Sequence, residues 1–111
     1  MSIIDFQALA KEGQLFLEHG YDHHIKAYIP STYRDNHASN LVELKNGDLL
    51  CVWFAGLSEG SLDIKIAMSR LAKDSDHWSE PVLVTDDYER SEQNPSLFQA
   101  PDGKVWLLHT A

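Results

Sequence analysis

At 111 residues the chain has room for one small domain, and its 43% apolar share is that of an ordinary globular protein. A net charge of −8, with nine Lys and Arg against 17 Asp and Glu, argues against a nucleic-acid or anionic-membrane surface, though not against a few local cations. No apolar run approaches ~18 residues, so nothing reads as a membrane span, and the single cysteine, Cys51, has no internal disulfide partner.

The first residues, MSIIDFQALAKEG, lack the basic start and long apolar stretch of a signal peptide, so a cytoplasmic location is the simplest expectation. Asp5 can cap a short helix running through Ala10, and Gln14–Leu17 reads as a strand, placed to pair with the far end of a larger assembly. HGYDHH spaces His19 and His23 as metal ligands on a helix would be, but Gly20 argues against a helix, and solvated loop histidines are the plainer reading. No metal is expected.

From residue 41 onward the pattern is β. Residues 41–44 and 49–54 flank Asn46-Gly47, a two-residue hairpin signal of type I′. Leu62–Arg70 alternates, with Ile64, Ile66 and Met68 on one face and Asp63, Lys65, Ala67 and Ser69 on the other, as in a strand with one buried side. Residues 79–85 form a short strand that Pro81 assigns to a sheet edge. Two more strands, 96–99 and 105–108, flank Asp102-Gly103. Cys51 sits in the most apolar of these strands, which reads as a buried structural thiol.

The tail repeats the middle. Displaced by 56 residues, Leu41 falls on Leu97, Asn46-Gly47 on Asp102-Gly103, and Leu49–Phe54 on Val105–Thr110. Four strands per repeat of this length describe a propeller blade. The expected fold is therefore all-β, a propeller of four-stranded antiparallel blades. Residues 1–35 form an extension, 36–92 a first blade and 93–111 the start of a second, about one and a half blades in all.

The string NHASNLVELKNGDLLCVWFAG…DIKIAMSR…WSEPV…NPSLF…PDGKVWLL resembles the sialidase-like, BNR-repeat β-propellers over roughly residues 36–111. Members of that family are typically six-bladed, so the resemblance implies the N-terminal part of a larger protein; a short chain that assembles with its own copies is the alternative. Either way, faces carrying Leu50, Val52, Phe54 and Trp106 are expected to be exposed on the isolated chain and to drive self-association. The family's Asp-box turn, Ser-x-Asp-x-Gly-x-Thr-Trp, is degenerate in AKDSDHW, which keeps Trp78 and acidic residues but not the Gly or Thr.

The resemblance implies an exo-α-sialidase-type glycoside hydrolase acting on terminal acidic sugars, with no cofactor. Arginines hold the sugar carboxylate, a tyrosine activated by a glutamate is the nucleophile, and an aspartate is the acid/base. Arginine suits the first task because its planar fork matches a carboxylate. The family's first arginine position is His37 here, a departure, and Arg34 stands three residues upstream. Rim packing for His37 and solvation for Arg34 are the plainer alternatives. Asp63, where the loop from Gly56 meets the next strand, is the acid/base candidate, with Glu59 second; both also read as ordinary loop or strand-start carboxylates. Asn94 starts the second repeat's first strand, where it is a substrate contact or a turn residue. The nucleophile has no counterpart, so the chain alone is expected to be inactive. A propeller lyase acting on uronates and a non-catalytic carbohydrate-binding propeller remain open.

Overall fold

The structure, a computed structural model, describes residues 13–17, 24–31, 33–57 and 61–111. The helix expected after Asp5, the His19/His23 spacing and Glu59 lie outside the described residues. Among the described residues the fold is all-β without a helix: β1 (Phe16–Leu17), β2 (Ile25–Lys26), β3 (Asp35–Glu43), β4 (Leu49–Gly56), β5 (Lys65–Leu71), β6 (Val82–Leu83), β7 (Gln93–Gln99) and β8 (Val105–Thr110). Strands β3-β4-β5-β6 form one antiparallel sheet in sequence order, β7-β8 a second and β1-β2 a third. This is one propeller blade followed by the first hairpin of the next. Pro81 precedes β6, which holds the sheet edge as its missing N–H requires.

The 56-residue repeat extends to the backbone. His37 pairs with Phe54 and Asn40 with Val52, leaving a bulge between; Gln93 pairs with Thr110 and Ser96 with Leu108, with the same bulge. Each bulge holds a left-handed residue at the equivalent place, Ala38 at φ 55° and Asn94 at φ 52°. The hairpin turns match as well, although neither is the two-residue type I′ expected. Gly47 N–H donates to Leu44 O at 2.9 Å and Gly103 N–H to Ala100 O at 2.9 Å, and only the glycines of these turns have positive φ. The result is a three-residue loop with glycine in the left-handed position. Pro101 accounts for it in the second turn, because its ring fixes the negative φ that opens a type I turn. Asn46 and Asp102 each accept the N–H two residues on, from Asp48 at 2.9 Å and Lys104 at 3.0 Å.

Two apolar clusters sandwich the blade. On one face Leu44, Leu50, Val52, Phe54, Ile64 and Ile66 are buried with Leu97 of the second repeat. The expected exposure of Leu50, Val52 and Phe54 is therefore corrected: β7 covers them, and only Trp106 of that set stays open, at 50%. On the other face Cys51, Trp53, Ala55, Ala67 and Trp78 pack beneath Leu15, Ala27, Ile29 and Tyr33 of the N-terminal segment. Burial pushes the Cys51 thiol pKa up, as befits an inert structural thiol.

A second correction concerns the other face of β5, which the N-terminal segment covers at Ala67 and later loops cover at Lys65 and Ser69. β5 is buried on both sides: Lys65, Ala67 and Ser69 are as enclosed as Ile64 and Ile66. The polar members survive burial because they are bonded. Ser69 Oγ donates to Ser79 O at 2.6 Å, and Lys65 Nζ donates to Leu62 O, Ile64 O and Arg90 O at 2.7, 3.0 and 3.2 Å. The strand expected at Gln14–Leu17 is shorter and splits its pairing. Phe16–Leu17 pairs with β2, while Gln14 bridges His77 and Gly13 O accepts Trp78 N–H at 2.9 Å. It therefore docks beside the blade's own third-to-fourth-strand turn.

Candidate functional site

β7 runs beside β3 in the same direction: Leu97 N–H donates to Asn40 Oδ1 at 2.8 Å and Lys45 N–H to Gln99 Oε1 at 2.7 Å. The starts of β3, β5 and β7 and the ends of β4 and β8 therefore share one end of the two repeats. Arg34, His37, Asp63 and Asn94 all lie at that end. Glu59 belongs to the same loop as Asp63 but is outside the described residues.

The bulge shapes the two inner-strand starts. An extra residue in left-handed conformation turns the strand locally, and Asn tolerates that conformation better than most. Asn94 is exposed there and takes the turn role, with φ of 52°. His37 is exposed too, and its ring lies 5.3 Å from that of Phe54, its cross-strand partner, tilted by 37°. One face of the imidazole thus covers the end of the core. Arg34 is exposed one residue before β3.

Asp63 is engaged rather than free. Its carboxylate accepts Ser61 Oγ–H and, at 2.9 Å, the Leu57 N–H, closing the β4–β5 loop on itself. These bonds, Ser61 foremost, hold its pKa below the usual carboxylate value. Such a group is ionised at neutral pH and poorly suited to donate a proton there.

Beside the start of β3, a groove of about 400 Å³ opens between the strand and residues 27–31, lined by Tyr28, Ser31, Asn36, His37, Ser39 and Trp53 among others. Asn36 organises it: Oδ1 accepts Trp53 Nε1–H at 3.0 Å and Ser31 Oγ–H at 2.8 Å, while Nδ2 donates to Tyr33 O at 3.0 Å. Sequence reasoning missed Asn36, Trp53 and Tyr28 as site residues. The repeat carried one signal, since Asn36 aligns with Glu92, a polar residue before each bulge.

Glu92 itself is 1% exposed; Oε1 accepts Asp87 N–H at 2.7 Å and Oε2 has no partner among the described residues. Lys65, whose Nζ is 4.7 Å from the Tyr88 ring centroid, ties residues 62–64 to residues 88–90 at the same end. Arg70, at the opposite end, is no ligand group: Nε donates to Asp48 Oδ2 at 2.7 Å. No group of three or more metal-ligating side chains occurs among the described residues.

The family described as BNR repeat-like domain matches residues 47–111. No curated protein and no solved structure matches the chain.

Proposed function

Because the chain belongs to the BNR repeat-like family, we propose that it forms the sugar-binding end of a sialidase-like propeller that acts on terminal acidic sugars. The observation that carries this reading is the placement of Arg34 and His37, both exposed, at the start of β3 beside the groove lined by Tyr28 and Trp53. An acidic sugar asks for that combination: a cation for its carboxylate, an aromatic surface for its ring and polar groups for its hydroxyls. Arg34 supplies the permanent charge, His37 an imidazole N–H donor, and Asn94 an amide from the adjoining repeat. Asp63 shapes the loop as an ionised carboxylate, so the proton for a leaving group comes from elsewhere. The chain by itself binds and does not cleave.

Titration with free sialic acid tests this. His37→Ala and Arg34→Ala should each weaken binding, Arg34→Ala more, because it removes the permanent charge. Unchanged affinity in His37→Ala would reduce His37 to a cover for Phe54 and remove the reading's main support. The same His37 favours a second reading, a lyase acting on uronates, because a histidine beside a uronate carboxylate can handle the proton. Within a complete propeller, release of sialic acid, of an ultraviolet-absorbing unsaturated uronate, or of neither separates hydrolase, lyase and lectin.

A further inference from the structure

The repeat makes one interface inside the chain; its receiving half recurs uncovered in the second repeat, and its inserting half recurs in the first with the β3 part exposed and the β4 part, Cys51 and Trp53, beneath the N-terminal segment. The receiving half in the first repeat is Val42, Leu50 and Val52, and Leu97 of β7 packs onto it, so that Leu50 is 4% and Val52 0% exposed. In the second repeat the equivalent residues are Phe98, Trp106 and Leu108. They hold the same cross-strand register, Phe98 opposite Trp106 as Val42 is opposite Leu50, yet they are 46%, 50% and 55% exposed. The Phe98 and Trp106 rings lie 6.2 Å apart and within 5° of parallel, forming a flat apolar surface. The inserting half also recurs. Leu97 is equivalent to Leu41, which is 58% exposed on β3, with residues 36–39 of that strand exposed as well.

We infer that the β7–β8 face carrying Phe98, Trp106 and Leu108 docks the β3 face carrying Leu41 of a second copy of this chain, head to tail. The argument is continuity with the interface already formed: a surface that accepts Leu97 from its own chain reappears with its matching leucine free. The polar contact has its counterpart too. Leu97 N–H donates to Asn40 Oδ1 at 2.8 Å; across copies, Leu41 N–H meets Ser96, which stands where Asn40 stood. Two internal bonds have no counterpart. The Lys45 N–H to Gln99 and the Lys45 Nζ to Pro101 O, at 2.7 and 2.6 Å, both fall on Pro101, which has neither donor. The contact between copies is therefore weaker than the internal one and depends on concentration. Because the two surfaces differ, the association is heterologous, and it grows until a ring closes.

Light scattering coupled to gel filtration, over a range of concentrations, tests this with two surface variants. Leu41→Glu keeps only the receiving face and Trp106→Glu only the inserting one; both positions are exposed, so folding is preserved. The wild-type chain should assemble, each variant alone should remain monomeric, and their mixture should form one-to-one dimers and nothing larger. Trp106 fluorescence should shift to the blue in the wild type as concentration rises. A wild-type chain that stays monomeric, a single variant that still assembles, or a mixture that stays monomeric would each overturn the proposal. None of these outcomes depends on sugar binding.

Discussion

Leu97 gives its backbone N–H to the Asn40 side chain across 2.8 Å, joining two strands that lie 57 residues apart at that contact. The bond does for the two repeats what a ladder bond does within a sheet, since β3 and β7 are not paired. Asn40→Ala leaves the Leu97 N–H at a buried residue without an acceptor, at a cost of about 1–3 kcal/mol. Urea unfolding should show the loss, and Asn40→Ser should recover part of it, because Ser96 stands at that position in the second repeat. An alanine variant as stable as the parent would mean that apolar packing around Leu97 alone holds the repeats together.

Ala38 and Asn94 occupy equivalent bulges with φ of 55° and 52°. A left-handed conformation strains alanine by roughly 1–2 kcal/mol and strains asparagine less. Taking the strained alanine out of one bulge and putting one into the other should thus shift stability in opposite directions. Ala38→Gly should stabilise by about 0.5 kcal/mol or more once the extra freedom of the unfolded glycine is subtracted, and Asn94→Ala should destabilise by a similar amount. Denaturant midpoints measured side by side decide it; shifts of the same sign would disprove the equivalence.

The β-architecture was legible because hydrophobic alternation and Asn-Gly/Asp-Gly punctuation are local, and the repeat made the blade visible without knowledge of packing. Burial on the second face of β5 was not legible. Lys65 and Ser69 read as solvent-facing until residues 88–90 and Ser79 are placed over them, and no local pattern of residue types places those loops. The turn type was misjudged from Asp-Gly alone, whereas Pro101 next to it carried the deciding constraint. At the site, Arg34, His37 and Asn94 could be assigned to one end because strand direction follows from the hairpins. The bonds that restrain Asp63 depend on loop geometry, which no pattern of residue types encodes. Asn36 and Trp53 escaped notice because their bond joins neighbouring strands through side chains alone.

Acid should expose the role of Asp48. Its carboxylate accepts the Lys73 N–H at 2.7 Å and pairs with Arg70, and these partners, the Lys73 N–H first, hold its pKa below the ordinary 3.8. A carboxyl depressed in the folded state contributes stability that is complete above its unfolded value and is lost as pH falls through the folded one. The contribution should therefore be full at neutral pH and disappear only below about pH 4. Asp48→Asn should lower the thermal midpoint at pH 7 and make the midpoint less sensitive to acid, with the two proteins converging at the lowest pH. Asp63 and Asp76 are shifted in the same direction, so some acid sensitivity should persist in the variant. Parallel curves at all pH values would show that Asp48 acts through its shape and not its charge.

Lys65 offers the sharpest test of how the candidate site is held. Its ammonium is buried, at 1% residue exposure, and its three donors go to Leu62, Ile64 and Arg90 carbonyls while Tyr88 covers it. Two loops that meet at the site end are joined through this one group. Lys65→Met keeps the length and apolar stem of the side chain but leaves the carbonyls unpaired, at a cost of about 3 kcal/mol by the usual worth of bonds to a charged donor. Lys65→Arg should not rescue it, because a planar guanidinium cannot aim at three carbonyls converging on one point. Tyr88→Leu should cost about 0.5–1 kcal/mol, the scale of a cation–π contact. Hydrogen exchange separates a local staple from a global loss. In Lys65→Met the amides of Leu57 and Glu92, bonded to Asp63 and to Ile64 O, should exchange faster relative to core β4 amides such as Val52. Uniform acceleration at all three would make Lys65 a general core residue, and no acceleration would detach it from the site altogether.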